Sequence, residues 1–178
     1  MNVREINPEV FYATDRIVCV TDADLGFIQE KAAVSPRRRA RVCAHRGVDD
    51  KLHEMIVVLK QDSYLTPEKH EVKVESYHII KGIADVVIFD DAGNVTAVVQ
   101  MGDHASGRAF YYRLSDPSFY HTLIIRSESL VYHETATGPF QKSDTVIAPW
   151  APAENDLTGR RVYMEQLEKR VQGFLDAA

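Results

Sequence analysis

The stretch Pro67-Glu68-Lys69-His70-Glu71-Val72-Lys73-Val74-Glu75-Ser76-Tyr77-His78-Ile79-Ile80-Lys81-Gly82 decides the reading of this chain. In a strand, alternate side chains point to the same side, so Glu68 and His70 share a face. Beyond an irregularity near Glu71, Glu75 and Tyr77 share one face, and Val74, Ser76 and His78 take the other. A barrel that turns Glu68, His70 and Glu75 inward brings carboxylate oxygens and an imidazole together, and a later strand can add His121. Two imidazoles with carboxylates suit Zn(II), Fe(II), Mn(II) or Ni(II). The alternative is that Glu68 and Glu75 are solvated strand-edge residues and His121 a core residue.

The flanking sequence supplies the strands such a barrel needs. Met55 to Leu59 is a continuous β-prone run. Ala84 to Phe89 and Val95 to Met101 form a hairpin around Asp90-Asp91-Ala92-Gly93-Asn94. Arg108 to Leu114, His121 to Arg126 and Ser129 to Thr135 are further strand candidates, and Arg16 to Val20 is a possible short one. Short strands with turn signals about every ten residues predict a sandwich or barrel. Thr21 or Asp22 caps a helix from about Ala23 to Ala33, with Leu25, Ile28 and Ala32 on one face and Pro36 as its stop. A second helix, from about 160 to 177, carries the stripe Tyr163, Leu167, Val171, Phe174 and Leu175. It is expected on the outside of the β body or at a subunit interface.

The segment from Glu68 resembles the first cupin motif, His-x-His, then Glu after three or four residues, then Gly after six more. Here Glu68-x-His70 is followed by four residues, Glu75, six residues and Gly82, with Glu68 where the motif has its first His. Asp62 stands where the motif opens on Gly, and Asp116-Pro117-Ser118-Phe119-Tyr120-His121 keeps the Pro and His of the second motif without its Gly. Ser35-Pro36-Arg37-Arg38-Arg39-Ala40-Arg41, His45, Tyr64, Glu134 with Gly138-Pro139-Phe140, and Ala148-Pro149-Trp150-Ala151-Pro152-Ala153-Glu154 are similar to WbuC-type cupin-fold metalloproteins, over roughly residues 22 to 155. The resemblance implies a mainly β, cupin-like jelly-roll barrel with a short N-terminal helix and a C-terminal helix. It implies one domain over 1–178, with its core at about 36–155. It also implies a metal held by His70, Glu75 and His121 with Glu68 as a possible fourth ligand, an association with O-antigen and surface-polysaccharide gene clusters, and pairing into homodimers. No defined reaction comes with it.

Arg37, Arg38, Arg39, Arg41 and Arg46 lie within ten residues of an otherwise acidic chain. Read as a strand, Arg37, Arg39, Arg41, Cys43 and His45 share a side. Guanidinium forks bind carboxylate or phosphate bidentately, so Arg37, Arg39, Arg41 and His45 are candidate substrate-binding residues. The alternative is a solvated edge paired with acids such as Asp49 and Asp50. His133 is read as lining the same cavity as a proton carrier, with a structural hydrogen bond as the other reading. Tyr77, in register with Glu75, is a second catalytic candidate. Cys43 reads as a small buried residue, and His53, His78 and His104 as surface or loop residues.

Composition sets the outer bounds. The chain has 178 residues, 45% hydrophobic and 26% charged, and 21 basic against 26 acidic side chains give a net charge of −5. That balance argues against a nucleic-acid partner. No apolar run approaches the ~20 residues that span a bilayer, and the opening MNVREINPEV lacks the pattern of a signal peptide. Two cysteines, Cys19 and Cys43, make no disulfide scaffold, so a cytoplasmic location is expected. The expectation is a cupin metalloprotein binding or transforming a small anionic carbohydrate-type metabolite, such as a sugar phosphate, nucleotide sugar or sugar acid. The alternatives are a non-catalytic sugar-binding or regulatory module and an Fe(II)-dependent oxygenase.

Overall fold

A computed structural model describes residues 1–177; Ala178, the last residue of the expected 1–178 domain, lies outside them. The chain forms β1 (Val3–Asn7), β2 (Val10–Ala13), α1 (Asp22–Val34), β3 (Arg39–Cys43), β4 (Leu52–Lys60), β5 (Glu68–His70) and β6 (Glu75–Lys81). It continues through β7 (Ile83–Phe89), β8 (Val95–Gly102), β9 (Tyr111–Leu114), β10 (Tyr120–Ile125), β11 (Ser129–Thr137), β12 (Thr145–Ile147) and α2 (Leu157–Asp176). Two sheets result, ordered β1-β2-β3-β4-β11-β6-β9 and β12-β5-β10-β7-β8. Among the described strands β2 and β3 run parallel, and the other pairs are antiparallel. The result is a mainly β, jelly-roll barrel with one helix near each end.

Alternation sets the layers. Val57, Leu59, Tyr77, Ile79, Leu130 and Tyr132 of the larger sheet meet Ala84, Val86, Leu123 and Ile125 of the smaller one in the barrel interior. The larger sheet also buries part of its outer face, where Val42, Val58 and Val131 lie under Ile28 and Ala32 of α1. Val87, Phe89 and Ile124 of the smaller sheet lie under Leu167 and Val171 of α2. Leu167 and Val171, at the centre of the apolar stripe of α2, are therefore covered by the chain's own sheet. Among the described residues no helix is long and apolar enough to cross a membrane.

Local chemistry fixes the ends of these elements. The Asp24 carboxylate takes the Thr21 backbone N–H at 2.8 Å and the N-terminal ammonium at 3.0 Å, which anchors the start of α1. Asp156 caps α2 by accepting from the Gly159 backbone N–H at 2.9 Å. Gly82 turns β6 into β7 at φ +97°, and a Cβ there would stand 2.4 Å from the Ser129 carbonyl oxygen.

Two expectations are corrected and one is extended. Residues 16–20 form no strand; the N-terminal strands are the hairpin β1–β2, which the mixed opening sequence does not announce. The irregularity expected near Glu71 extends over residues 71–74, which cross from one sheet to the other, so the alternation resumes only at Glu75. His53 is buried rather than at the surface, with its ring stacked on His45 at 4.1 Å between centroids.

Candidate metal centre

The break between β5 and β6 places ligands from both sheets on one spot. His70 ends β5, Glu75 opens β6, and His121 lies on β10, paired in register with Glu68. The available donor atoms of His70, Glu75 and His121 lie within 4.8 Å of one another, and all three residues are buried. His121 Nε2 is 2.7 Å from Glu75 Oε1, and His70 Nε2 is 3.4 Å from Glu75 Oε2. Glu68 approaches from the side, its Oε1 4.0 Å from His70 Nε2.

These residues fit a divalent cation. His70 Nε2 is buried, has no hydrogen-bond partner and faces the carboxylate. The other ring nitrogens face outer acceptors: His121 Nδ1 is 3.2 Å from the Phe119 carbonyl oxygen, and His70 Nδ1 is 3.5 Å from Thr145 Oγ1. That arrangement holds each ring with Nε2 toward the centre, as metal-bound imidazoles are held. Two imidazoles and one carboxylate are the donor set of first-row divalent metals.

One neighbour competes for the same oxygen. Lys73 Nζ sits 2.9 Å from Glu75 Oε2, and the Tyr77 hydroxyl donates to Glu75 Oε1. Burial pushes the Glu75 carboxyl up, but the hydrogen bond from His121, the nearby His70 imidazole and the Lys73 charge hold it well below the usual carboxylate range. Burial lowers His121, yet its bond to Glu75 leaves it net raised. Tyr77 is raised by burial and by the charges of Glu75 and Glu134, so it remains a neutral donor.

The centre opens on a cavity of about 470 Å³. Glu68, Lys73, Glu75, Tyr77 and His121 line it, together with Arg37, Arg39, Arg41, Tyr132, Glu134 and the exposed Phe140. Sequence reasoning thus places Glu68, His70, Glu75, His121, Tyr77 and the three arginines in one neighbourhood. Two candidates fall elsewhere. His45 stands beyond the end of β3, bonded through Nδ1 to the Glu54 carbonyl oxygen at 3.1 Å, away from the cavity lining. His133 also leaves the lining: its Nε2 lies 3.8 Å from Glu54 Oε1, because Tyr132 and Glu134 take the inward positions of β11.

Glu134 and Lys73 are the functional candidates that sequence reasoning missed. Burial and the Glu75 charge push the Glu134 carboxyl up to about 7, the range in which a carboxyl group can give and take a proton. The pairing of Glu134 with Tyr77 across β6 and β11 puts both on the inner face. A signal existed in the sequence, since Leu130, Tyr132 and Glu134 alternate as Val131 and His133 do, but it did not say which set faces inward. The arginines find acids other than Asp49 and Asp50. Arg37 binds Glu9 and Glu154, Arg39 binds Glu154 at 3.0 Å, and Asp50 instead accepts the Arg46 backbone N–H at 2.6 Å.

Comparisons with known proteins agree with this geometry at the level of fold. The family described as a domain of unknown function, DUF6016, matches residues 20–101. The chain is similar to protein SO0799 from Shewanella oneidensis, at 9% identity over 60% of this chain and 72% of that one, with a TM-score of 0.50. Two further likenesses have TM-scores of 0.47. One is to oxalate decarboxylase from Bacillus subtilis, at 17% identity over 61% of this chain and 27% of that one. The other is to the Streptomyces nucleoside dehydratase Pac13, at 10% identity over 61% of this chain and 77% of that one. No curated protein matches.

The likeness to SO0799 is one of fold alone.

Proposed function

We propose that this barrel is a cupin metalloprotein whose cavity binds a small anionic carbohydrate-type metabolite beside a divalent metal. The observation that carries the reading is the convergence of His70, Glu75 and His121 in a cavity that Arg37, Arg39 and Arg41 also line. The three ligands would hold the metal, with Glu68 at 4.0 Å from His70 as an accessory carboxylate. The metal would polarise a carbonyl or hydroxyl of the ligand. The arginines supply guanidinium forks for its anionic group. Glu134, with its carboxyl at about 7, and Glu68 are the groups placed to move a proton at a ligand carbon or oxygen; Tyr77 holds Glu75 in place through its hydroxyl. A cavity of about 470 Å³ suits a ligand of sugar size. The likeness to WbuC-type sequences supports a role in surface-polysaccharide metabolism. The free thiols of Cys19 and Cys43 accord with a reducing, cytoplasmic setting, and a homodimer belongs to the same reading.

A second reading rests on Lys73. Its ammonium at 2.9 Å from Glu75 Oε2 supplies the positive charge a metal would bring, as expected of a metal-free, non-catalytic sugar-binding module. One experiment separates the two. Calorimetric titration of glucuronate and glucose 6-phosphate is run on the protein with Mn(II) and after chelator treatment. Binding that requires the metal supports the first reading. Equal binding in both preparations supports the second, and binding in neither preparation refutes the anionic ligand itself.

A further inference from the structure

The arginine cluster at the cavity is already occupied by the chain itself. Glu154 places one carboxylate oxygen on each of two guanidiniums, Oε2 at 3.2 Å from Arg37 Nη1 and Oε1 at 3.0 Å from Arg39 Nη2. A ligand carboxylate or phosphate spanning two arginines would make the same pair of contacts. Glu9 binds the same cluster from within: it accepts from Arg37 Nε at 2.7 Å, lies 3.7 Å from Arg39 Nε, and takes the buried Ser35 hydroxyl at 2.8 Å. The two carboxylates differ in setting. The Glu9 side chain is 11% exposed and the Glu154 side chain 35%.

The charge count favours a replaceable Glu154. Arg37, Arg39 and Arg41 face the cavity, and Glu9 offsets one of their charges. Arg41 makes no ion pair among the described residues. Removing Glu154 from the count leaves the cluster with two uncompensated positive charges beside the candidate metal ligands. Glu154 rides on residues 148–156, which cross from β12 to α2 outside either sheet. That segment has its own anchors at Ala148, whose N–H bonds the Pro67 carbonyl oxygen at 2.9 Å, and at Pro152, whose carbonyl oxygen accepts from the Tyr64 hydroxyl at 2.9 Å. The Glu154 pair is therefore not the segment's sole attachment: the Glu154 carbonyl oxygen also accepts from Arg160 at 2.9 Å, so displacement frees the carboxylate and loosens the segment without detaching it. A partly exposed ion pair is weak, so a multiply charged ligand outcompetes it.

We propose that Glu154 occupies the anion subsite formed by Arg37 and Arg39, and that a ligand's carboxylate or phosphate enters the cavity by displacing it. The inference rests on the anionic-ligand reading above and adds the gate and the subsite. The test is calorimetric titration of glucuronate and of glucose 6-phosphate into the wild type and Glu154→Gln, which keeps the shape and removes the charge. The variant should bind at least one probe about three- to fivefold more tightly. The probe that gains identifies carboxylate or phosphate as the group the subsite takes. Equal affinities in the two proteins overturn the gate and leave the anionic ligand standing. Absence of binding in both overturns the anionic ligand and, with it, the gate. A measurement on the wild type guards against a variant that fails to fold: hydrogen exchange of the amides of Ala153, Glu154, Asn155 and Asp156 should speed up at saturating probe. Unchanged or slower exchange there contradicts displacement.

Discussion

Lys73 and Glu134 give the centre its chemical character, and each can be isolated by one substitution. Lys73 holds Glu75 Oε2 at 2.9 Å, so a metal entering between His70, Glu75 and His121 meets a carboxylate already shared with an ammonium. Lys73→Met removes that competitor and retains the apolar stem. The variant should bind Mn(II) or Zn(II) about tenfold more tightly than the wild type, or about 1.4 kcal/mol, in calorimetric titration. Unchanged or weaker affinity would show that Lys73 supports the ligand set rather than competing with it. Glu134 makes a different prediction. Its carboxyl is raised to about 7, so the folded state holds its proton more tightly than the unfolded chain does, near 4.5. The cost of its charge is absent below about pH 4.5, grows up to pH 7 and is complete above it. Glu134→Gln removes that cost. In metal-stripped protein it should stabilise by about 1–3 kcal/mol at pH 8 and by little at pH 5, read from thermal unfolding. The same difference at both pH values would remove Glu134 from the list of proton carriers.

At the level of elements, what the sequence disclosed depended on range. The β5–β6 segment was legible because both strands and the crossing between them lie within fifteen residues, and alternation from a single starting point orders Glu68, His70, Glu75 and Tyr77. The phase of β11 was not legible. Leu130 and Tyr132 pack inside the barrel while Val131 packs outside under α1, so both faces of the strand are apolar and period-two spacing cannot select the inner one. Spacing alone points to His133, whereas the inner face carries Glu134. His45 was misplaced because β3 ends at Cys43 and alternation stops with the strand. The arginine partners Glu9 and Glu154 lie 28 and 117 residues from Arg37, a pairing that local spacing does not reach. The β7–β8 turn was read correctly and carries an added constraint. Gly93 adopts φ +83°, and a Cβ there would stand 2.8 Å from the Trp150 ring. Gly93→Ala should destabilise by about 1–3 kcal/mol, seen as a lower Tm. An unchanged Tm would mean that Trp150, and residues 148–156 with it, yields freely.

On the scale of the whole molecule, the two helices complete layers rather than form separate units. α2 covers Val87, Phe89, Tyr120 and Ile124 with Leu167 and Val171. Removal of residues 157–178 should therefore give aggregated protein with exposed apolar surface, visible as dye binding and a loss of soluble yield. A soluble, well-folded truncation would place the stripe of α2 against a partner instead. The proposed function turns on the joint where the two sheets deliver His70, Glu75 and His121 to one point. Since His121 is raised by its bond to Glu75, a metal taking its Nε2 competes with a proton there. The most direct test is calorimetric titration of chelator-stripped protein with Mn(II), Fe(II), Ni(II) and Zn(II) in buffers of different ionisation heat. Uptake of about one metal per chain by at least one of these ions, with net proton release and with loss of binding in His121→Ala, is the predicted result. No uptake of any of the four, or equal uptake by His121→Ala, would contradict the assignment of this centre.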